Sequence, residues 1–88
     1  MAEKNSPEDK PIGEVTHYFG HLNVMAINLT DNLALGDKIH IRGHTTDLVC
    51  AVDSMQVEHQ AVTKAGPGDS VGIKVTDKVR PGDQVYRA

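Results

Sequence analysis

Gly-Asp, then one residue, then apolar side chains in alternation: this chain writes the pattern three times. The copies are Gly36-Asp37-Lys38-Ile39-His40-Ile41, Gly68-Asp69-Ser70-Val71-Gly72-Ile73 and Gly82-Asp83-Gln84-Val85-Tyr86. Glycine adopts positive φ at little steric cost, and an Asp side chain accepts from backbone N–H groups in a turn. Alternation of apolar residues then gives a strand with one buried face. Each copy predicts a turn that launches a β-strand, and strands at this spacing predict an all-β barrel.

The rest of the chain agrees with that reading. Met1 to Pro11 is polar and without period, which predicts a flexible tail over 1–11 and one barrel domain over 12–88. Strands are expected at Ile12–Phe19, Leu22–Leu29, Asp37–Arg42, Asp47–His59, Ser70–Val75 and Gln84–Arg87. Gly20-His21 should bend the chain between the first two. Asp53-Ser54 breaks the phase of the long fourth strand, where a β-bulge would return Met55 and Val57 to the interior. Leu22–Leu29 is apolar on both faces, which suits a strand covered on both sides or one that meets a partner, with Met25 as one candidate contact. No segment holds a helical period.

Composition narrows the function. With 88 residues, no Trp, one Phe and two Tyr, there is too little aromatic surface for a platform that stacks single-stranded bases. Net charge is −3, and −2 without the first ten residues, so phosphate binding over the whole surface is excluded. Cys50 is the only cysteine; it has no disulfide partner, and its apolar run predicts a buried, inert thiol. Neither a signal peptide nor a membrane-spanning stretch is readable, so a cytoplasmic protein is expected.

The order of these pieces resembles the second domain of translational GTPases such as elongation factor Tu and the selenocysteine-specific elongation factor. The resemblance rests on Leu35-Gly36-Asp37-Lys38-Ile39, Ser54-Met55-Gln56-Val57-Glu58-His59, Ala65-Gly66-Pro67-Gly68-Asp69-Ser70-Val71-Gly72-Ile73 and Val79-Arg80-Pro81-Gly82-Asp83-Gln84-Val85. Closer still is the C-terminal β-barrel of collagenase-like bacterial peptidases, to which Gly13-Glu14-Val15-Thr16-His17-Tyr18-Phe19 and Ile41-Arg42-Gly43-His44-Thr45-Thr46-Asp47 are similar. Both resemblances imply a small closed six- or seven-stranded barrel, Greek-key in type and of the translation-protein class, and neither implies an activity. Ala65-Gly66-Pro67-Gly68-Asp69 lacks the Gly-Lys-Ser/Thr that cradles phosphate, so no nucleotide is expected.

Three constellations compete for a role. His17 with His21, and His40 with His44, have a helical metal spacing but fall on strand ends and turns, so neither a metal nor any other cofactor is expected. Glu58-His59 with Cys50 or Ser54 can be written as a triad, but a filled small barrel offers little cleft for it, so no enzyme is expected. Lys38, Arg42, Lys74, Lys78 and Arg80 could contact phosphate, with His40 and His44 at the rim. The leading expectation is therefore a non-catalytic, translation-factor-like barrel that binds tRNA or another structured RNA. The alternative is an accessory module that docks on a peptidase-like or translational protein partner, through Leu22–Leu29 or an uncovered sheet edge.

Overall fold

A computed structural model describes residues 10–88. The expected tail lies outside these residues except for its last two, and Pro11 already opens a strand. The chain forms β1 (Pro11–Phe19), β2 (Val24–Leu29), β3 (Leu33–Ala34), β4 (Lys38–Arg42), β5 (Asp47–Ala51), β6 (Met55–Val57), β7 (Gln60–Ala61), β8 (Lys64–Ala65), β9 (Ser70–Lys74) and β10 (Gln84–Arg87). Among the described residues there is no helix, so none is long and apolar enough to cross a membrane.

The three Gly-Asp copies are one turn used three times. In Ala34–Asp37, Gly66–Asp69 and Arg80–Asp83, the Asp N–H donates to the carbonyl three residues back at 3.1 Å. The Asp Oδ2 accepts the N–H of that same first residue at 2.9 Å. Gly36, Gly68 and Gly82 hold φ of 92°, 91° and 96°, the value that the third position of a type II turn requires. Pro67 and Pro81 occupy the second position, where a fixed φ is preset for this turn. Each turn also clips onto another strand or its continuation. The Gly36, Gly68 and Gly82 N–H groups donate to the carbonyls of Val52, Leu29 and Val15, whose own N–H groups donate to the Asp37, Asp69 and Asp83 carbonyls.

Strands β4, β9 and β10 leave these turns and join an antiparallel sheet of order β5-β4-β10-β1-β2-β9-β6-β7, beside a β3-β8 ribbon. Its inward residues form a single cluster that includes Val15, Met25, Ile27, Ile39, Ile41, Met55, Val71, Ile73 and Val85. The sheet therefore curls around one core. Its hydrogen-bond ladder does not join β5 to β7, so a fully closed six- or seven-stranded barrel is not what the strand pairing describes.

Two local expectations need correction. The segment Asp47–His59 is not one bulged strand. It divides at Val52–Ser54 into β5, at one end of the sheet, and β6, near the other. The clip from Val52 to Gly36 and Asp37 ends pairing with β4, and Met55 then pairs opposite Ile73. Met25 is no partner contact, because it is fully buried opposite Ile73. An irregularity of register falls instead in β1, between Val15 and His17, with Thr16 unmatched. It shifts the phase, so that His17 and Phe19 are exposed.

Candidate docking surface

On the outer side of β1, β2, β9 and β6 the sheet carries an apolar cleft of about 400 Å³. Its floor exists because Gly72 has no side chain: Gly72 pairs with Ala26 on one side and Gln56 on the other. Val24 and Ala26, the outward residues of the two-faced strand, form one wall. Phe19 and Leu22 stand at the mouth, 41% and 59% exposed, and the Phe19 ring packs on His17 with centroids 4.4 Å apart. The β1–β2 turn presents Leu22, since its N–H donates to the Phe19 carbonyl and Asn23 takes a positive φ of 55°.

The facing rim is the β6–β7 hairpin. Val57 pairs with Gln60, which leaves Glu58 and His59 as a two-residue loop with φ of 53° and 65°. Positive φ at both positions is the type I′ arrangement, for which Asn-Gly is the favoured sequence. Holding other side chains there costs about 1–2 kcal/mol per residue. Both residues line the cleft, and among the described residues theirs are the only ionisable side chains that do.

The five cations expected to contact phosphate fall into two groups: Lys38 lies opposite Ala51, which lines a cleft with Lys74, and Arg42 lies opposite Asp47, which lines a cleft with Lys78 and Arg80. Lys38 and Arg42 stand exposed at opposite ends of β4, with the Arg42 guanidinium 5.8 Å from the centre of the Tyr86 ring. Lys78 and Arg80 share a cleft with Asp47 and Asp77, and Lys74 shares another with Asp53. His40, on β4, contacts the Asp47 carboxylate. Cys50 and the Glu58-His59 pair line separate clefts, so the triad written with Cys50 is not brought together. Among the described residues, no group of three or more His, Cys, Asp or Glu side chains could hold a metal ion.

Cys50 is half-buried rather than buried. Burial, and secondarily the Asp53 carboxylate, push its thiol above the ordinary value. Alkylation by iodoacetamide should be slower at pH 7 than that of a small free thiol and still be accelerating above pH 9. Asp53→Asn should speed it only a few-fold, because desolvation is the larger cause. Fast labelling at neutral pH would contradict this environment.

Sequence reasoning missed Arg87. Its guanidinium donates to the Asn32 carbonyl at 2.8 Å and to Asp37 Oδ2 at 3.4 Å, tying β10 to the first Gly-Asp turn. Nothing local marks it, since its partners lie more than 49 residues away.

No protein-family model matches the chain. It is 42% identical over 76 residues to an uncharacterized protease of Methanocaldococcus jannaschii, a match that takes in 85% of this chain and 19% of that protein. It is 37% identical over 78 residues to a collagenase of Porphyromonas gingivalis, covering 86% of this chain and 22% of the collagenase. The chain thus spans about a fifth of the length of these curated relatives. Two crystal structures of the C-terminal domain of a protein named as a U32 peptidase, from Geobacillus thermoleovorans, share its fold at 16% identity. One superposes with a TM-score of 0.84 over 89% of this chain and 99% of that domain, the other with 0.85 over 90% and 92%. These matches overturn the translation-factor and RNA-binding reading. Gly-Asp turns and strand order are shared by barrels of different function, and cations interspersed with Asp47, Asp53 and Asp77 supply no independent case for RNA. The chain has the fold of a peptidase C-terminal domain, and its relatives by sequence are proteases and collagenases that it matches over one part of their length.

Proposed function

We propose that this chain is a non-catalytic accessory module of a U32-type peptidase system, docking on a peptidase catalytic region. The observation that carries the reading is the extent of the matches: nearly the whole domain aligns with about a fifth of proteins named as protease or collagenase, and it has the fold of the C-terminal domain of a protein named as a U32 peptidase. The exposed apolar residues Phe19 and Leu22 supply a contact surface, because apolar area removed from water contributes about 25 cal/mol per Å².

The test is to mix the purified chain with the purified remainder of a homologous protease from which the corresponding domain has been deleted. A complex should form and persist at 0.5 M salt, since apolar contacts are strengthened rather than screened by salt. Leu22→Asp should weaken it by roughly tenfold or more while changing stability by less than about 0.5 kcal/mol, as for other exposed substitutions. The chain alone should hydrolyse neither gelatin nor small peptides. Peptidase activity that survives in the isolated, homogeneous chain, or failure of any complex to form, would overturn the proposal.

A further inference from the structure

Deepening that docking reading, and resting on it, we infer that the cleft between Phe19 and the Glu58-His59 hairpin recognises an extended segment of the partner in which a bulky apolar side chain lies beside a Lys or Arg. Two independent observations meet here. The first is shape: Gly72 opens a hollow in an otherwise continuous sheet face, walled by Val24 and Ala26 and flanked by exposed Phe19 and Leu22. A Cβ on Gly72 would meet only the Val24 Cγ1, at 3.5 Å, which is an ordinary contact. The hollow is therefore not forced by backbone crowding, and a side chain could have filled it.

The second is the hairpin. Two residues with ordinary side chains occupy positions where Asn-Gly would be more stable, and backbone strain of this kind gathers at functional sites. The strained pair stands on the rim of this same cleft. Glu58 gives the rim a carboxylate, and among the described residues no Lys or Arg lines the cleft to neutralise it. Lys74, opposite Val24 in the sheet register, lines the cleft beside Asp53 instead. An apolar floor with one anionic rim complements an apolar side chain with a neighbouring cation. A segment carrying an acidic residue at that place would meet like charge, and rejection of that kind is a source of specificity.

The isotope-labelled full chain can be titrated with nine-residue synthetic peptides that carry a central Leu or Phe and, two positions away, Lys or Glu. A third peptide replaces the central residue by Ala. The Lys peptide should shift the amides of Phe19, Leu22, Ala26, Glu58 and Gly72, and bind roughly tenfold tighter than the Glu peptide, as a charge-assisted contact allows. The Ala peptide should lose most of the binding. Glu58→Gln should bring the Lys and Glu peptides to within about twofold of each other. Gly72→Val should block the cleft in a folded protein, and the double variant Glu58→Asn, His59→Gly should melt at a higher temperature yet lose the charge preference. Equal binding of Lys and Glu peptides, shifts that map elsewhere, or undiminished binding by Gly72→Val would overturn the inference. If selectivity fails while the protease complex forms and survives Leu22→Asp, the cleft is wrong and docking stands. If selectivity holds while no protease complex forms, the cleft stands and the docking partner is wrong.

Discussion

Met25→Asp should leave no folded domain at room temperature. Met25 is fully buried between Tyr18 on β1 and Ile73 on β9, within the single core cluster. A buried, unpaired carboxylate costs at least several kcal/mol after relaxation. A chain of this length has only about 4–13 kcal/mol of total stability, at the usual contribution per residue. The substitution also removes a large apolar side chain, whose loss alone costs about 2–5 kcal/mol. Met25→Leu, which nearly conserves volume, should cost less than about 1.5 kcal/mol. Amide dispersion in a proton–nitrogen NMR spectrum and a urea melt distinguish the outcomes. A native spectrum from Met25→Asp would mean that β2 turns its other face inward.

The second large effect is expected at the third Gly-Asp turn. Asp83 is 5% exposed, and its Oδ2 accepts the Arg80 N–H at 2.9 Å. Its other oxygen packs against Gly43 so closely that a Cβ there would lie 1.9 Å away. Asp83→Ala should cost about 2–3 kcal/mol, the range for losing a hydrogen bond to a charged group where an N–H is left without its partner. Asp37 and Asp69 accept the same turn bond in less buried surroundings, and replacing either by Ala should cost about 1 kcal/mol. Gly43→Ala should cost about 1–3 kcal/mol, because the buried carboxylate must move off its turn. In the Asp83→Ala background the same glycine substitution should be nearly neutral, so a double-mutant cycle by urea denaturation reads the contact directly. Strict additivity would show that the two residues do not touch in solution.

These two positions show how unevenly the molecule could be read in advance. Glycine with positive φ is a local requirement of a type II turn, and Asp after it in all three copies and proline before it in two are local preferences, so all three turns were legible from four-residue windows. The alternation of Ile39 and Ile41, or of Val71 and Ile73, likewise identified buried faces. Strand β2 was different: apolar on both sides, it offered Met25 and Val24 as equal candidates for the interior, and only pairing with β1 and β9 chose Met25. The docking surface was half visible, because the two-faced strand was recognised while the groove beside it was not. Gly72 carries no signal of being a cleft floor until Ala26 and Gln56 are placed on either side of it.

The basic residues show a different effect of the fold. Lys38 with Arg42, and Lys74 with Lys78 and Arg80, are the groups in the linear chain, whereas the fold sets Lys38 opposite Ala51, which lines a cleft with Lys74, and Arg42 opposite Asp47, which lines a cleft with Lys78 and Arg80. Like charges near in sequence need not share a face when strands from both ends of the chain interleave in one sheet, as β10, β1 and β4 do here.

The sequence by itself determined what local stereochemistry controls: three turns, most of the strands, their buried faces and an all-β class. It also determined the absence of a phosphate-cradling loop, since that motif needs residue types the chain does not place together. Tertiary structure decided the rest. It split Asp47–His59 into strands near opposite ends of the sheet, tied Arg87 to Asn32 and Asp37, and set a strained hairpin across an apolar cleft from Phe19. The physical reason is range: turn dihedrals are set within four residues, whereas pairing and clefts arise from residues tens of positions apart that meet only when the sheet curls around its core.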